Sequence, residues 1–220
     1  MSISHNIQKI KSEILAGVKL VAVTKTYPAD IVMQAYNAGH KIFGENKVQE
    51  LVKKYEELPK DIEWHLIGHL QTNKVKYIAP FVNMIHSVES LKLLQEINKC
   101  AAKANRIIDC LLQIHIAQEE TKFGMSFDEA DAFLRSAEIK QLENIRIVGL
   151  MGMATLTDDK NKIRNEFRSL KNFYAAHCQP QTVNCQFSIL SMGMSSDYKI
   201  AIEEGSNMIR VGSSIFGNRK

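Results

Sequence analysis

Val18-Lys19-Leu20-Val21-Ala22-Val23-Thr24-Lys25-Thr26-Tyr27-Pro28 reads as a buried strand that ends in a lysine and meets a proline opening the next element. On a period of two, Val21, Val23 and Lys25 share one face. A lysine that continues an apolar stripe holds its ammonium where water is scarce. Desolvation favours the neutral amine, the form that attacks a carbonyl, so the position suggests Schiff-base chemistry. The plainer alternative is a stem packed on the strand with its charge reaching water.

The same unit recurs along the chain. Apolar runs at 18–25, 41–45, 63–68, 83–87, 107–116, 145–151, 186–191 and 208–211 predict eight strands. Helical spacing predicts helices at 3–16, 28–38, 46–57, 88–104, 127–138, 160–176 and 196–204. Gly39 suits a helix stop, and Ser126 with Glu129 makes a candidate capping box. Strands alternating with helices imply parallel pairing through right-handed crossovers. Eight such units predict a single (β/α)8 barrel over residues 1–220, preceded by an extra N-terminal helix. An open doubly wound sheet commonly has fewer strands and a G-x-G-x-x-G turn after the first, which this sequence lacks.

Composition narrows the class. The 220 residues are 45% hydrophobic and 24% charged, as in an ordinary soluble domain, and the formal net charge is +4. That balance predicts no nucleic-acid partner. The densest basic row, Lys160, Arg164, Arg168 and Lys171, lies opposite Ile163, Phe167, Leu170 and Tyr174 and reads as a solvated helix face. No run is long enough to span a bilayer, and the first residues lack the pattern of a signal peptide. Cys100, Cys110, Cys178 and Cys185 form no C-x-x-C pair. The expectation is a cytoplasmic protein with reduced thiols and no membrane contact.

Barrel sites form at the C-terminal ends of the strands. Those ends offer Lys25, Glu45 and Asn46, His69, Ser87 and Glu89, His115, Met151-Gly152-Met153, Ser191 to Ser195, and Arg210 with Gly212-Ser213-Ser214. The last two loops, Ser191-Met192-Gly193-Met194-Ser195-Ser196 and Gly212-Ser213-Ser214-Ile215-Phe216-Gly217, occupy the place where barrels often bind phosphate. Glycine admits close backbone approach and serine adds hydroxyl donors. A lysine opposite a phosphate cup predicts a ligand with both a carbonyl and a phosphate, and pyridoxal 5′-phosphate (PLP) has both.

Several motifs together resemble the pyridoxal phosphate homeostasis family. They are Ala22-Val23-Thr24-Lys25-Thr26-Tyr27-Pro28, Phe43-Gly44-Glu45-Asn46 with Gln49-Glu50, Trp64-His65-Leu66-Ile67-Gly68-His69-Leu70-Gln71-Thr72-Asn73-Lys74, Gly149-Leu150-Met151, Leu190 to Ser195, and Ile209-Arg210-Val211-Gly212 with Ile215-Phe216-Gly217. They span about residues 18–218 in the family's order. The resemblance implies a TIM barrel like the N-terminal domain of alanine racemase, with PLP held as a Schiff base on Lys25. It implies that Asn46 lines the pocket, that Ser195, Gly212 and Ser213 hold the phosphate, and that Arg210 faces the pyridine nitrogen. Ser213 stands where the family more often has threonine, and Lys47 where an aromatic is frequent. The implied function is vitamin B6 homeostasis without robust turnover, with PLP-dependent apo-enzymes as possible recipients and the chain a monomer or weak dimer.

A cation facing the ring nitrogen disfavours its protonation and weakens the electron sink, which suits carriage better than racemisation. Too few residues follow strand eight for alanine racemase's second, β-rich domain, which also argues against two-base racemisation. For Arg210 the alternative is an ion pair with Glu203 or Glu204. For the protein, the alternatives are a PLP-dependent racemase-like enzyme and a metal hydrolase using His65, His69, His86 and His115. On a strand, His65 and His69 would stand roughly 13 Å apart, too far to share an ion. Interior histidines bonded to the backbone, or lining the pocket edge, are the expectation.

Overall fold

The computed structural model describes residues 2–118, 123–177 and 185–217. Its parallel strands close into one barrel in sequence order: β1 (Lys19–Val23), β2 (Ile42–Glu45), β3 (Glu63–Leu66), β4 (Met84–Val88), β5 (Ile108–Ile114), β6 (Ile145–Gly152), β7 (Cys185–Ser191) and β8 (Met208–Val211). Closure is made by β1 against β8, with Val21 opposite Arg210 and Ala22 opposite Val211. The fold is the (β/α)8 barrel expected from the alternation.

Strand parity separates two cores. Leu20, Ala22, Phe43, Trp64, Leu66, Ile85, Ile209 and Val211 face the surrounding helices and join the larger core. Val21, Met84, Leu111, Val148, Met151, Ile189 and Met208 form a second cluster inside the barrel. Alternate residues of a strand point to opposite faces, so the lumen also receives His65, His86, Ser191 and Arg210, all buried.

The helices follow the predicted spacing with shorter ends. They are α1 (Ile3–Glu13), α2 (Ala29–Asn37), α3 (Val48–Glu57), α5 (Leu91–Lys103), α6 (Phe127–Arg135), α7 (Lys160–His177) and α8 (Tyr198–Glu203). Pro28 sits at the N-cap of α2, and Gly39, just past its end, has φ +80°. Ser126 and Glu129 form the capping box of α6. Two short helices escaped the periodicity: α4 (Val75–Ile78), entered through a 3-10 turn at Thr72–Lys74, and α9 (Ser213–Phe216). One turn is too short to display a 3.6-residue period.

The β7–β8 seam carries the two serine-rich loops. Its strands share one registered pair, Ser191 opposite Met208. Side chains reinforce it: Ser206 Oγ lies 2.9 Å from Met192 O and 3.0 Å from Met208 O, and Asn207 Oδ1 accepts from Leu190 N at 2.8 Å. On α7 two members of the basic row, Arg164 and Arg168, form ion pairs, while Lys160 is exposed. Arg164 contacts Glu203 and Glu204 at 2.5 and 2.8 Å, and Arg168 contacts Glu204 at 3.0 Å. Cys100, Cys110 and Cys185 are free thiols, and Cys178 lies outside the described residues. Among the described residues, no helix is long and apolar enough to cross a membrane.

Candidate functional site

A cavity of about 410 Å³ opens at the C-terminal ends of β1, β2, β3, β6, β7 and β8. It is lined by Lys25, Asn46, Ser195, Arg210, Gly212 and Ser213, together with Val23, Ile67, Met153, Met194, Ser196 and Ser214. All six residues singled out in the sequence therefore share one space. Glu45 does not join them. The inward residue of that pair is Gly44, whose added Cβ would lie 2.9 Å from Val21 Cγ1. Glu45 points outward to Lys54 of α3.

Lys25 lies two residues past β1, in a turn, and is half-buried. The strand ends early because Thr26 turns left-handed, with φ +71°. Such a conformation is unfavourable for a β-branched residue and must be held by its surroundings. Helix α3 does the holding. Glu50 Oε2 accepts the Thr26 amide at 2.9 Å, and Lys54 Nζ donates to the Thr24 carbonyl at 2.7 Å. Thr24 Oγ1 donates to Glu45 Oε1 at 2.6 Å, and Glu45 pairs with Lys54. Burial raises the Glu45 carboxyl's pKa, while Lys54 and Thr24 pull it back.

Arg210 forms the inner end of the cavity and is 4% exposed. Its Nη1 donates to Ser191 O at 2.9 Å and Ser191 Oγ at 2.6 Å, and its Nη2 donates to Gly152 O at 3.0 Å. The ion pair with Glu203 or Glu204 is not formed, since those carboxylates engage Arg164 and Arg168. Burial lowers the guanidinium's pKa to about 10, with Asp197 opposing the shift, so it stays charged at neutral pH.

The serine loops make a donor cup. Ser195 Oγ accepts from the amides of Gly212 at 3.2 Å and Ser214 at 3.4 Å. Met194 N–H donates to Asp197 Oδ1 at 2.6 Å, which sets the preceding turn. Among the described lining residues there is no carboxylate. Cationic and hydroxyl groups share the lining with the apolar side chains of Val23, Ile67, Met153 and Met194. Such a cavity suits a flat, partly apolar ring that carries an anionic group.

The other strand-end candidates lie apart. His69 stands 3.0 Å from Glu89 and stacks on Phe123, with ring centroids 4.5 Å apart. Ser87 Oγ donates to Gly68 O at 2.6 Å. His65 and His86 bond to each other at 3.0 Å, not to the backbone as expected, and among the described residues no cluster suits a metal ion. Ile67 was missed as a lining residue. Its place directly after β3, at a strand's C-terminal end, was the available signal.

The sequence profile described as "Alanine racemase, N-terminal domain" matches residues 1–220. The pyridoxal phosphate homeostasis protein of Aquifex aeolicus is 39% identical over 203 residues, covering 92% of this chain and 87% of that protein. This chain belongs to the pyridoxal phosphate homeostasis family. Solved structures agree. PipY of Synechococcus elongatus without PLP superposes with a TM-score of 0.91 at 35% identity, covering 98% of this chain and 100% of that one. The form of PipY with PLP bound gives 0.89 at 34% identity, again over 98% and 100% of the two chains. Alanine racemase of Clostridium difficile gives 0.79 at 14% identity over 99% of this chain and 57% of that one, a likeness of fold alone.

Proposed function

We propose that this chain is one PLP-binding barrel domain over residues 1–220 that serves intracellular vitamin B6 homeostasis. It holds PLP as a Schiff base on Lys25. Ser195, Gly212 and Ser213 bind the phosphate, Asn46 lines the ring, and Arg210 faces the pyridine nitrogen. The observation that carries this reading is the meeting of Lys25, Arg210 and the two serine loops in one cavity. The PLP-bound relative at 34% identity supports it.

PLP supplies an aldehyde and, when its ring nitrogen is protonated, an electron sink. Arg210 opposes that protonation by its charge, so the site favours carriage over carbanion chemistry. The proposal is therefore a carrier without robust turnover that hands PLP to apo-enzymes, acting in the cytoplasm as a monomer or weak dimer. The free thiols at Cys100, Cys110 and Cys185 support a reducing compartment.

Purified protein soaked in PLP is expected to turn yellow and then to restore activity to a PLP-dependent apo-enzyme, without exchanging the α-proton of free amino acids into deuterated water. Protein that stays colourless would end the proposal. Brisk exchange with interconversion of enantiomers would put a racemase-like enzyme in its place.

A further inference from the structure

A buried polar chain crosses the lumen beneath Arg210. Ser191 Oγ lies 3.3 Å from His86 Nδ1, and His86 Nε2 lies 3.0 Å from His65 Nδ1. All three side chains are buried, as is Arg210. His65 also lines a pocket at the opposite mouth, formed by strand N-terminal ends and including Lys19, Glu63 and Asp109. The chain thus runs from the floor of the cavity towards the far end of the barrel.

The charge on Arg210 favours one of the two directions open to the chain. Guanidinium nitrogens only donate, so Ser191 Oγ accepts from Arg210. The second Oγ lone pair is open to a proton from His86 Nδ1, but beside the cation the opposite sense is favoured, with the Ser191 proton given to His86 Nδ1. With Nδ1 accepting, the His86 proton sits on Nε2 and goes to His65 Nδ1, which leaves the His65 proton on Nε2. Burial keeps both rings neutral: it pushes the His65 pKa down to about 3, with help from Lys19, and that of His86 well below its ordinary value, with help from His65 and Arg210.

Aligned bonds of this kind polarise one another, and each group along the chain turns its accepting atom towards the cation. Among the described residues no carboxylate forms an ion pair with Arg210, whose guanidinium donates to the Ser191 and Gly152 carbonyls and to Ser191 Oγ, with Asp197 acting on it only through its charge. A fixed carboxylate there would repel an anionic ligand and favour protonation of a ring nitrogen.

We infer that His86, with its tautomer set by His65, is a positioning residue that acts through Ser191 to orient Arg210 in place of a carboxylate counter-ion. This rests on Arg210 being the group that faces the pyridine nitrogen.

The test has two arms. The first is ¹⁵N NMR of histidine-labelled protein without PLP at neutral pH. Both His86 and His65 are expected as neutral Nε2–H tautomers, and a His86 proton on Nδ1, or an imidazolium, would overturn the chain. The second compares PLP titrations of His86→Leu, Ser191→Ala and His86→Asn, whose amide oxygen can stand where Nδ1 accepts. His86→Leu and Ser191→Ala are expected to lose about tenfold in affinity, as for one bond to a charged group, and to shift the visible maximum. His86→Asn should restore both. Unchanged affinity and spectrum in His86→Leu and Ser191→Ala would overturn the positioning role, and if His86→Leu fails to fold, Ser191→Ala and the tautomers decide. Wild-type protein that binds no PLP would end the proposed function, while the tautomers still judge the chain.

Discussion

Lys54 of α3 donates to the carbonyl of Thr24 at 2.7 Å, one residue before Lys25. The same ammonium pairs with Glu45, whose side chain is fully buried. The candidate anchor is thus held by a helix behind the barrel wall. Lys54→Met is expected to destabilise the fold by about 3–5 kcal/mol, because it strands the Glu45 carboxylate. Adding Glu45→Gln should recover part of that loss. A urea double-mutant cycle checks it, and strictly additive losses would argue against the coupling.

Gly68, two residues past β3, packs against the backbone of Asn46, which lines the cavity. A Cβ there would lie 2.4 Å from Asn46 O and 2.7 Å from Asn46 Cα. Backbone cannot yield as a side-chain tip can, so Gly68→Ala is expected to cost about 1–3 kcal/mol, the usual range for overpacking. PLP affinity should fall with it, since Asn46 must move. Equal stability and affinity in variant and wild type would contradict this packing.

The serine loops predict discrimination between PLP and pyridoxal, which lacks the phosphate. Ser195→Ala and Ser213→Ala should each weaken PLP binding by about tenfold or more, the effect of losing one bond to a charged group. Pyridoxal affinity should hardly change. Parallel losses for both vitamers would place the phosphate elsewhere.

Acid should unfold this protein partly through its lumen. An unfolded histidine titrates near 6.5, while His65 in the fold is pushed down to about 3. Between those values the unfolded chain binds more protons, so stability present above about pH 6.5 is lost as pH falls. His65→Asn keeps a side-chain acceptor without the titration. Its stability should fall less steeply between about pH 6 and pH 4, by about 1.4 kcal/mol per pH unit. Parallel curves for variant and wild type, read by urea unfolding, would count against a neutral His65.

The barrel was legible because each strand carries a compact apolar run and each long helix a full amphipathic period. Lys25 was placed on the correct face by parity, although β1 ends at Val23. That early end depends on Glu50 and Lys54 gripping the turn from α3, a contact no local pattern announces. Gly44, not Glu45, faces the lumen for a related reason: the outward carboxylate has its cation on α3. His65, His86 and Ser191 could each be set on a strand, but their meeting depends on how the closed barrel brings β3, β4 and β7 together across the lumen. Registers shift within the β4–β5, β5–β6 and β6–β7 pairings, and sequence period does not reveal such shifts.

The covalent anchor is the claim on which the functional account stands. Borohydride reduction of PLP-soaked protein, followed by peptide mass mapping, tests it most directly. A phosphopyridoxyl mass on the peptide containing Lys25, absent in a Lys25→Ala variant with an unchanged urea midpoint, is the expected result. An adduct confined to another lysine, or a visible band that persists in Lys25→Ala, would contradict it.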